Sequence, residues 1–342
     1  MVSLTSDLIK TFKVAKTFRD NTERINYMDI SASGHYVVTS SEDESIQLYE
    51  CDKAILSKTL HSKKYGVSLI SFTKNEKMVV HGSTKIDNTL RQLNLQENKY
   101  LRYFQGHTNK VTGLKMHPKD DVFLSSSHDG SVRLWDTRSQ NAQGLLSVPG
   151  KPVANYDPEG LIVAVGSESS EVRLYDLRTF DKVSGTSTKG AFLTFPVPQI
   201  KDGIWTDIKF NPDTTQILIT TSGKNAILVD AYVGGVAHTL TGYSSASKYP
   251  MEASFTPDGR YVLMGSADGK VHVWESHTGE KVCVLTGESS DPITCLRFNP
   301  KYMTFATASQ RTHFWIPTVP PSIDKSGCNE SSQENGLAKT PS

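Results

Sequence analysis

The chain has 342 residues, with 37 Lys and Arg against 36 Asp and Glu, a formal charge of +1, and 37% apolar side chains. A charge this close to balance excludes a protein held to nucleic acid mainly by phosphate neutralisation, while the apolar share is ample for a large core. No window approaches 18 uncharged apolar residues, so a membrane-spanning helix is excluded as well.

In chain order, the first predicted element is LIKTFKVAKTF (8–18), read as a strand. Repeats follow, each opening with an alternating segment that ends in a reverse turn. They begin INYMDISASG (25–34), VSLISFTKNE (67–76), VTGLKMHPKD (111–120), PVANYDPEG (152–160), WTDIKFNPD (205–213), MEASFTPDG (251–259) and ITCLRFNPK (293–301). In most of these turns Pro precedes Asp, Glu or Lys, supplying a fixed φ and a side-chain hydrogen bond. Val- and Ile-rich runs such as YVVTS (36–40) and QILITT (216–221) come next and read as strands buried on both faces.

The third repeat is the most explicit. Gly106-His107 precedes the alternating strand, and Ser125, Asp129 and the closing Val-Arg-Leu-Trp135-Asp136 follow it. This is the GH-to-WD pattern of a four-stranded propeller blade. His107, Ser125, Asp129 and Trp135 are predicted to form a buried hydrogen-bonded tetrad that staples the blade. The position of Trp135 recurs as Tyr49, Leu93, Tyr175, Val229, Trp274 and Trp315, at intervals of 44, 42, 40, 54, 45 and 41 residues. Seven positions predict seven blades.

Six residues upstream of each lies a turn residue: Asp43, Asp87, Asp129, Ser169, Gly223, Asp268 and Ser309. Their shared register marks Asp43, Asp87 and Asp268 as turn acids rather than catalytic acids. Four residues earlier still stand Thr39, Ser83 and Ser125, with apolar residues in the other repeats, so only the third repeat has a complete tetrad. The long interval before Val229 predicts an enlarged loop over 182–203 around an outer strand. The seventh blade ends at Trp315 without an outer strand of its own, which the run 8–18 is expected to donate, closing the ring.

The fold predicted is therefore all-β, a seven-bladed WD40 β-propeller over 1–317, with repeats ending near 50, 94, 136, 176, 230, 275 and 316. The polar segment 318–342 is predicted to be a disordered tail. Cys51, Cys283, Cys295 and Cys328 form no CxxC pair, and the N-terminus lacks an apolar signal region, which predicts a reducing intracellular compartment.

Chemistry is harder to find. There is no HExxH, GxSxG or EF-hand motif, and Gly265-Ser-Ala-Asp-Gly-Lys270 has the wrong spacing for a phosphate loop. Ten histidines show no metal-ligand spacing. No catalytic, cofactor or metal residue is predicted, and function is expected on loops displayed by a rigid disc. The loops entering the inner strands, with the last turn, place Arg24, Lys64, Tyr65, Lys110, Lys151, Tyr249 and Arg311 at the narrow mouth of the ring. That mixture of cations and aromatics suits anionic or extended peptide partners. An alternative is a substrate receptor of a cullin-type ubiquitin ligase, since Trp135-Asp-Thr-Arg138 and Tyr175-Asp-Leu-Arg178 fit a WDxR spacing or approach it.

Beyond the generic repeat, VAKTFRDN (14–21), KYGVSLISF (64–72), NKYLRYFQGH (98–107), QGLLSVPGKPVANYDPEGLI (143–162), YDLRTFDK (175–182), EASFTPDG (252–259) and ITCLRFNPKYMTFATAS (293–309) resemble the WD repeat-containing protein 82 family. The resemblance spans roughly residues 7 to 317 and departs in the 182–203 loop and the tail. It implies a non-catalytic nuclear subunit without cofactor, in COMPASS-type complexes whose SET-domain enzyme methylates histone H3 at lysine four. Implied partners are that methyltransferase, other COMPASS subunits, the phosphorylated C-terminal domain of RNA polymerase II, and a protein phosphatase one and transcription-termination assembly. Neither a membrane nor sequence-specific nucleic acid is expected among them.

Overall fold

The computed structural model describes residues 4–167, 170–179, 190–197, 203–245 and 250–318. They form seven antiparallel four-stranded sheets, the blades of a propeller. In blade three, for example, the strands Val111–Met116, Val122–Ser127, Ser131–Asp136 and Ala142–Ser147 follow one another as hairpins.

The alternating segments are the innermost strands: Ile25–Ile30, Ser68–Phe72, Val111–Met116, Val153–Tyr156, Trp205–Phe210, Ala253–Phe255 and Cys295–Phe298. They alternate because one face packs between blades and the other lines the central channel. The second strands are mostly apolar or small and largely buried; Gln216–Thr221 and Tyr261–Gly265 are buried at every residue. The periodic residues Tyr49, Leu93, Trp135, Tyr175, Val229, Trp274 and Trp315 all lie buried in third strands. Each joins an apolar cluster that also draws on an adjoining blade, so burying the large side chains of one sheet requires the next.

Closure uses the N-terminal strand. Phe12–Phe18 pairs antiparallel with Thr312–Pro317, from Phe12 opposite Pro317 to Phe18 opposite Thr312. The first part of the expected run is not extended, however: Ser6–Lys10 is a short helix. Thr5 caps it, accepting the Leu8 amide at 3.3 Å, and the turn drives Ile9 into the apolar cluster of blades six and seven beside Phe12, Leu285 and Phe305. A strand there would have kept Ile9 from that contact.

The outer strand of blade four, Leu193–Pro196, lies within the 182–203 segment and pairs with Glu171–Asp176. The rest of that segment, apart from Gly190 to Val197 and Gly203, is outside the described residues, as are Ser169 and the tail beyond Thr318.

Two buried histidines give the fold an acid sensitivity. His81 is fully enclosed; its Nδ1 lies 3.1 Å from the Gly82 carbonyl, while Nε2 finds no partner among the described residues. Burial pushes its imidazole down to about 4. His272, stacked on Trp274 at 5.8 Å, is likewise pushed to about 4, by burial first and then by the charge of Lys281. The unfolded chain protonates these rings near pH 6.5 and the folded chain only near 4, so their contribution is complete above pH 6.5 and declines as pH falls towards 4. Urea unfolding at pH 7.5 and pH 5 is expected to differ by about 2 kcal/mol for each histidine. His81→Leu should flatten its share of that slope, and an unchanged slope would count against this assignment.

Candidate functional site

The tetrad residues of blade three meet. His107 places Nδ1 2.8 Å from Asp129 Oδ2 and Nε2 2.7 Å from Ser125 Oγ, and Trp135 donates its indole N–H to the same Ser125 oxygen at 2.8 Å. Asp129 also accepts the amides of Thr108 and Ser131 and the Ser131 hydroxyl. Burial pushes the Asp129 carboxyl up, but hydrogen bonds from Ser131, His107 and Thr108 outweigh it and leave it below the ordinary carboxylate value. The connectivity Ser–His–Asp is that of a hydrolytic relay. Here, though, Ser125 is 1% exposed and its oxygen already accepts the indole N–H, so no substrate carbonyl reaches it.

Three other blades place an acid in this turn with different partners. In blade one Asn21 stands where His107 does: it donates to Ser45 at 2.9 Å, while Asp43 accepts the Thr22 and Ser45 amides and is held at about 2. In blade two both terminal nitrogens of Arg91 grip Asp87, at 3.0 and 2.8 Å. Asp268 in blade six accepts the Lys270 amide at 3.3 Å. Ser83 is not the counterpart of Ser125. That place belongs to His81, which pairs with Arg91 as Ser125 pairs with Arg133, because the blade-two turn is longer.

The channel holds a cluster that the periodicity left unread. Lys115 lies 2.8 Å from Asp207; Lys209 lies 3.5 Å from Asp207 and 3.3 Å from Glu252. Arg297 pairs with Glu252, donates to the Tyr27 hydroxyl at 3.1 Å, and sits 4.0 Å from Asp29. Asp29 accepts the Ser71 hydroxyl and the Phe72 amide, at 2.7 and 2.9 Å. Three cations thus face three carboxylates across blades one, three, five, six and seven. Backbone bulges lie just before Tyr27 and Asp207. Burial opposes every charge here. Lys115 and Lys209 nevertheless hold Asp207 at about 2, while Lys209, pressed by burial and then by Arg297, falls to about 8.

Cavities open at both ends. One of about 390 Å³ is lined by Asp29, Lys115, Asn155, Lys209 and Arg297, and one of about 150 Å³ by Arg24, Asn26, Asp207 and Glu252. Among the described residues no three His, Cys, Asp or Glu side chains group as a metal site.

Loops entering the inner strands and turns joining second to third strands share one end of an antiparallel blade, so the described rim residues belong to the face carrying the turn acids. Arg24 pairs with Glu42 and lines the smaller cavity. Lys64 is exposed and lies 5.0 Å from the centre of the Tyr65 ring, which also meets the Arg91 guanidinium at 3.8 Å and stands edge-on to Tyr100 at 5.4 Å. Lys110 is exposed, Lys151 and Arg311 are half-buried, and Tyr249 is outside the described residues. Apart from Lys64 and Tyr65, the described rim residues stand on separate blades. On the opposite face, Arg138 and Arg178, 79% and 81% exposed, each close a two-pronged bond on Asp136 and Asp176 of their own blades.

Residues 12–50, 98–136, 234–275 and 279–313 match the model of the WD domain, G-beta repeat. The chain is 48% identical to WD repeat-containing protein 82 of Drosophila melanogaster, over 93% of this chain and 98% of the relative. It belongs to the WD repeat-containing protein 82 family. It is also 32% identical to COMPASS component SWD2 of Saccharomyces cerevisiae, over 92% and 98% of the two chains. To Set1 complex component swd2 of Schizosaccharomyces pombe it is 35% identical, over 83% and 77%.

In this member of the WD repeat-containing protein 82 family the unusual DPEG turn of blade four is tied to blade three. His117 Nε2 lies 2.9 Å from the Gly160 carbonyl and its ring stands edge-on to Tyr156 at 4.9 Å. Gly160 has φ +79°, and a Cβ there would strike the His117 ring, so glycine is required twice over.

Proposed function

We propose that this chain is a non-catalytic nuclear scaffold subunit of a COMPASS-type complex that methylates histone H3 at lysine four, holding a segment of the SET-domain methyltransferase against its rim. The observation that carries this reading is similarity over most of the chain to proteins named as COMPASS and Set1 complex components. The cationic and aromatic rim supports it, because it provides anchors for an extended acidic or phosphorylated segment. On the same reading the scaffold links the enzyme to the phosphorylated C-terminal domain of transcribing RNA polymerase II, and also serves a termination assembly containing protein phosphatase one. The ubiquitin-ligase alternative asks Arg138 and Arg178 for contacts with an adaptor. Both are engaged with their own aspartates, which favours the scaffold.

Affinity purification of the tagged full chain from nuclear extract is expected to recover a SET-domain methyltransferase and other COMPASS subunits. Lys64→Glu and Lys110→Glu should reduce that recovery while changing unfolding free energy by no more than about 0.5 kcal/mol, since both side chains are exposed. Repeated purifications without a methyltransferase would sink the reading. Variants that lose binding only because they unfold would sink the rim assignment.

A further inference from the structure

The cavities at the two ends of the channel differ in charge. The smaller, at the rim end, has Asp207 and Glu252 in its wall together with Arg24 and Lys115. The larger, of about 390 Å³, opens where the inner strands of blades one, two and three finish, on the face opposite the rim. Its wall carries Lys74, Lys115, Lys209 and Arg297, and the one carboxylate among the described residues lining it is Asp29. Four cations against one acid make this end of a balanced network attractive to an anion.

The donors lining the larger cavity are not all spent. Lys209 uses its ammonium on the Ala253 carbonyl at 2.6 Å and on Glu252 and Asp207. Lys115, in contrast, makes one hydrogen bond among the described residues, to Asp207 at 2.8 Å, and an ammonium has three protons to give. Arg297 gives one terminal nitrogen to Glu252 and the other to the Tyr27 hydroxyl. Its Nε lies 4.0 Å from Asp29 Oδ1, too far for a hydrogen bond. The Lys115 and Arg297 side chains are 12% and 15% exposed, so their charges act on a ligand with little screening by water. A planar guanidinium and a compact ammonium together suit an oxyanion with several oxygens. Asp29 then selects among oxyanions. Its Oδ2 is held by the Ser71 hydroxyl and the Phe72 amide. The carboxylate repels an oxyanion that has no proton, but accepts a hydrogen bond from one that keeps a hydroxyl.

We propose that the larger cavity binds free hydrogen phosphate, held by Lys115 and Arg297 and selected through a hydrogen bond from its own hydroxyl to Asp29. The site lies on the face away from the rim and does not rest on the scaffold reading. Its ligand bridges side chains of blades one, three and seven, and so stabilises the closed ring.

The test is calorimetric titration of the full chain at fixed ionic strength and about pH 8, where inorganic phosphate keeps one proton while sulfate and the phosphoryl group of O-phosphoserine keep none. Burial raises the Asp29 carboxyl above its ordinary value, against the pull of Arg297, and at this pH it is ionised. Wild type is expected to show one saturable site for inorganic phosphate, at least about tenfold tighter than for sulfate or O-phosphoserine, and a melting temperature that rises with phosphate occupancy. Asp29→Asn keeps an acceptor for Ser71 and Phe72 and should bring sulfate to within about twofold of phosphate. Lys74→Glu, at an exposed position, should melt like wild type without phosphate yet bind it about threefold or more weakly. Absence of saturable phosphate binding at millimolar concentration overturns the proposal. So do equal affinities of wild type for phosphate and sulfate, and a phosphate preference left unchanged in Asp29→Asn. Tighter binding of O-phosphoserine than of inorganic phosphate overturns it as well, by assigning the cavity to a phosphorylated side chain.

Discussion

Glu252→Ala is expected to cost about 3–5 kcal/mol of unfolding free energy, read as a lower urea midpoint at unchanged m-value. Glu252 holds three groups at once: Arg297, the Lys209 ammonium at 3.3 Å, and the Leu296 amide at 3.1 Å from its second oxygen. Each charged partner is largely removed from water, with side-chain exposures of 15% and 13%. Without the carboxylate, two cations remain beside one another and a backbone donor is stranded. Lys209, already lowered to about 8 by burial and by Arg297, loses one of the two carboxylates that raise it. Glu252→Gln keeps an acceptor for Leu296 while discarding the charge, so it should fall between alanine and wild type. A midpoint for Glu252→Ala equivalent to wild type within about 0.5 kcal/mol would mean that solvent replaces the carboxylate and that the channel network is ornamental.

Trp135→Ala should be comparably severe, at about 3–5 kcal/mol, and visible as a lower melting temperature. The indole is fully buried, stacked on Phe123 at 6.2 Å and edge-on to Phe104 at 5.8 Å, so its removal opens a cavity in the packing between blades two and three. Its N–H also completes the valences of Ser125. Ser125→Ala should cost less, about 1–3 kcal/mol, because it leaves the indole N–H and His107 Nε2 without a partner but keeps the packing. The double variant is expected to cost less than the two singles added, since both act on one bond. Strict additivity would show the Trp135–Ser125 bond to be energetically silent.

How much of this was legible follows from the range of each interaction. The blade repeat could be read because the buried third-strand residue recurs at nearly constant spacing, and the run 8–18 pointed to closure because the last repeat stopped one strand short. The helix at Ser6–Lys10 was missed because its only advertisement was Thr5 as a cap. Ser83 was misplaced because a fixed offset assumes equal turns, whereas the blade-two turn carries two residues more than that of blade three. Asn21 lay outside any His-based pattern. The channel cluster escaped for a different reason. Its partners lie far apart in the chain, as Lys115 and Asp207 do, so no local window contains both. A signal was present all the same: charged residues at alternate positions of several inner strands, as in Trp205–Phe210 with Asp207 and Lys209. Read in register, they mark the face turned away from the apolar packing.

The pairing of Phe12–Phe18 with Thr312–Pro317 also governs how the molecule is born. During synthesis the first strand leaves the ribosome hundreds of residues ahead of its mate, and the growing chain can only be an unsealed arc with bare sheet edges at both ends. Among the described residues sealing is thus the most distant contact in sequence, and it awaits the final strand, the kind of long-range pairing that folds late.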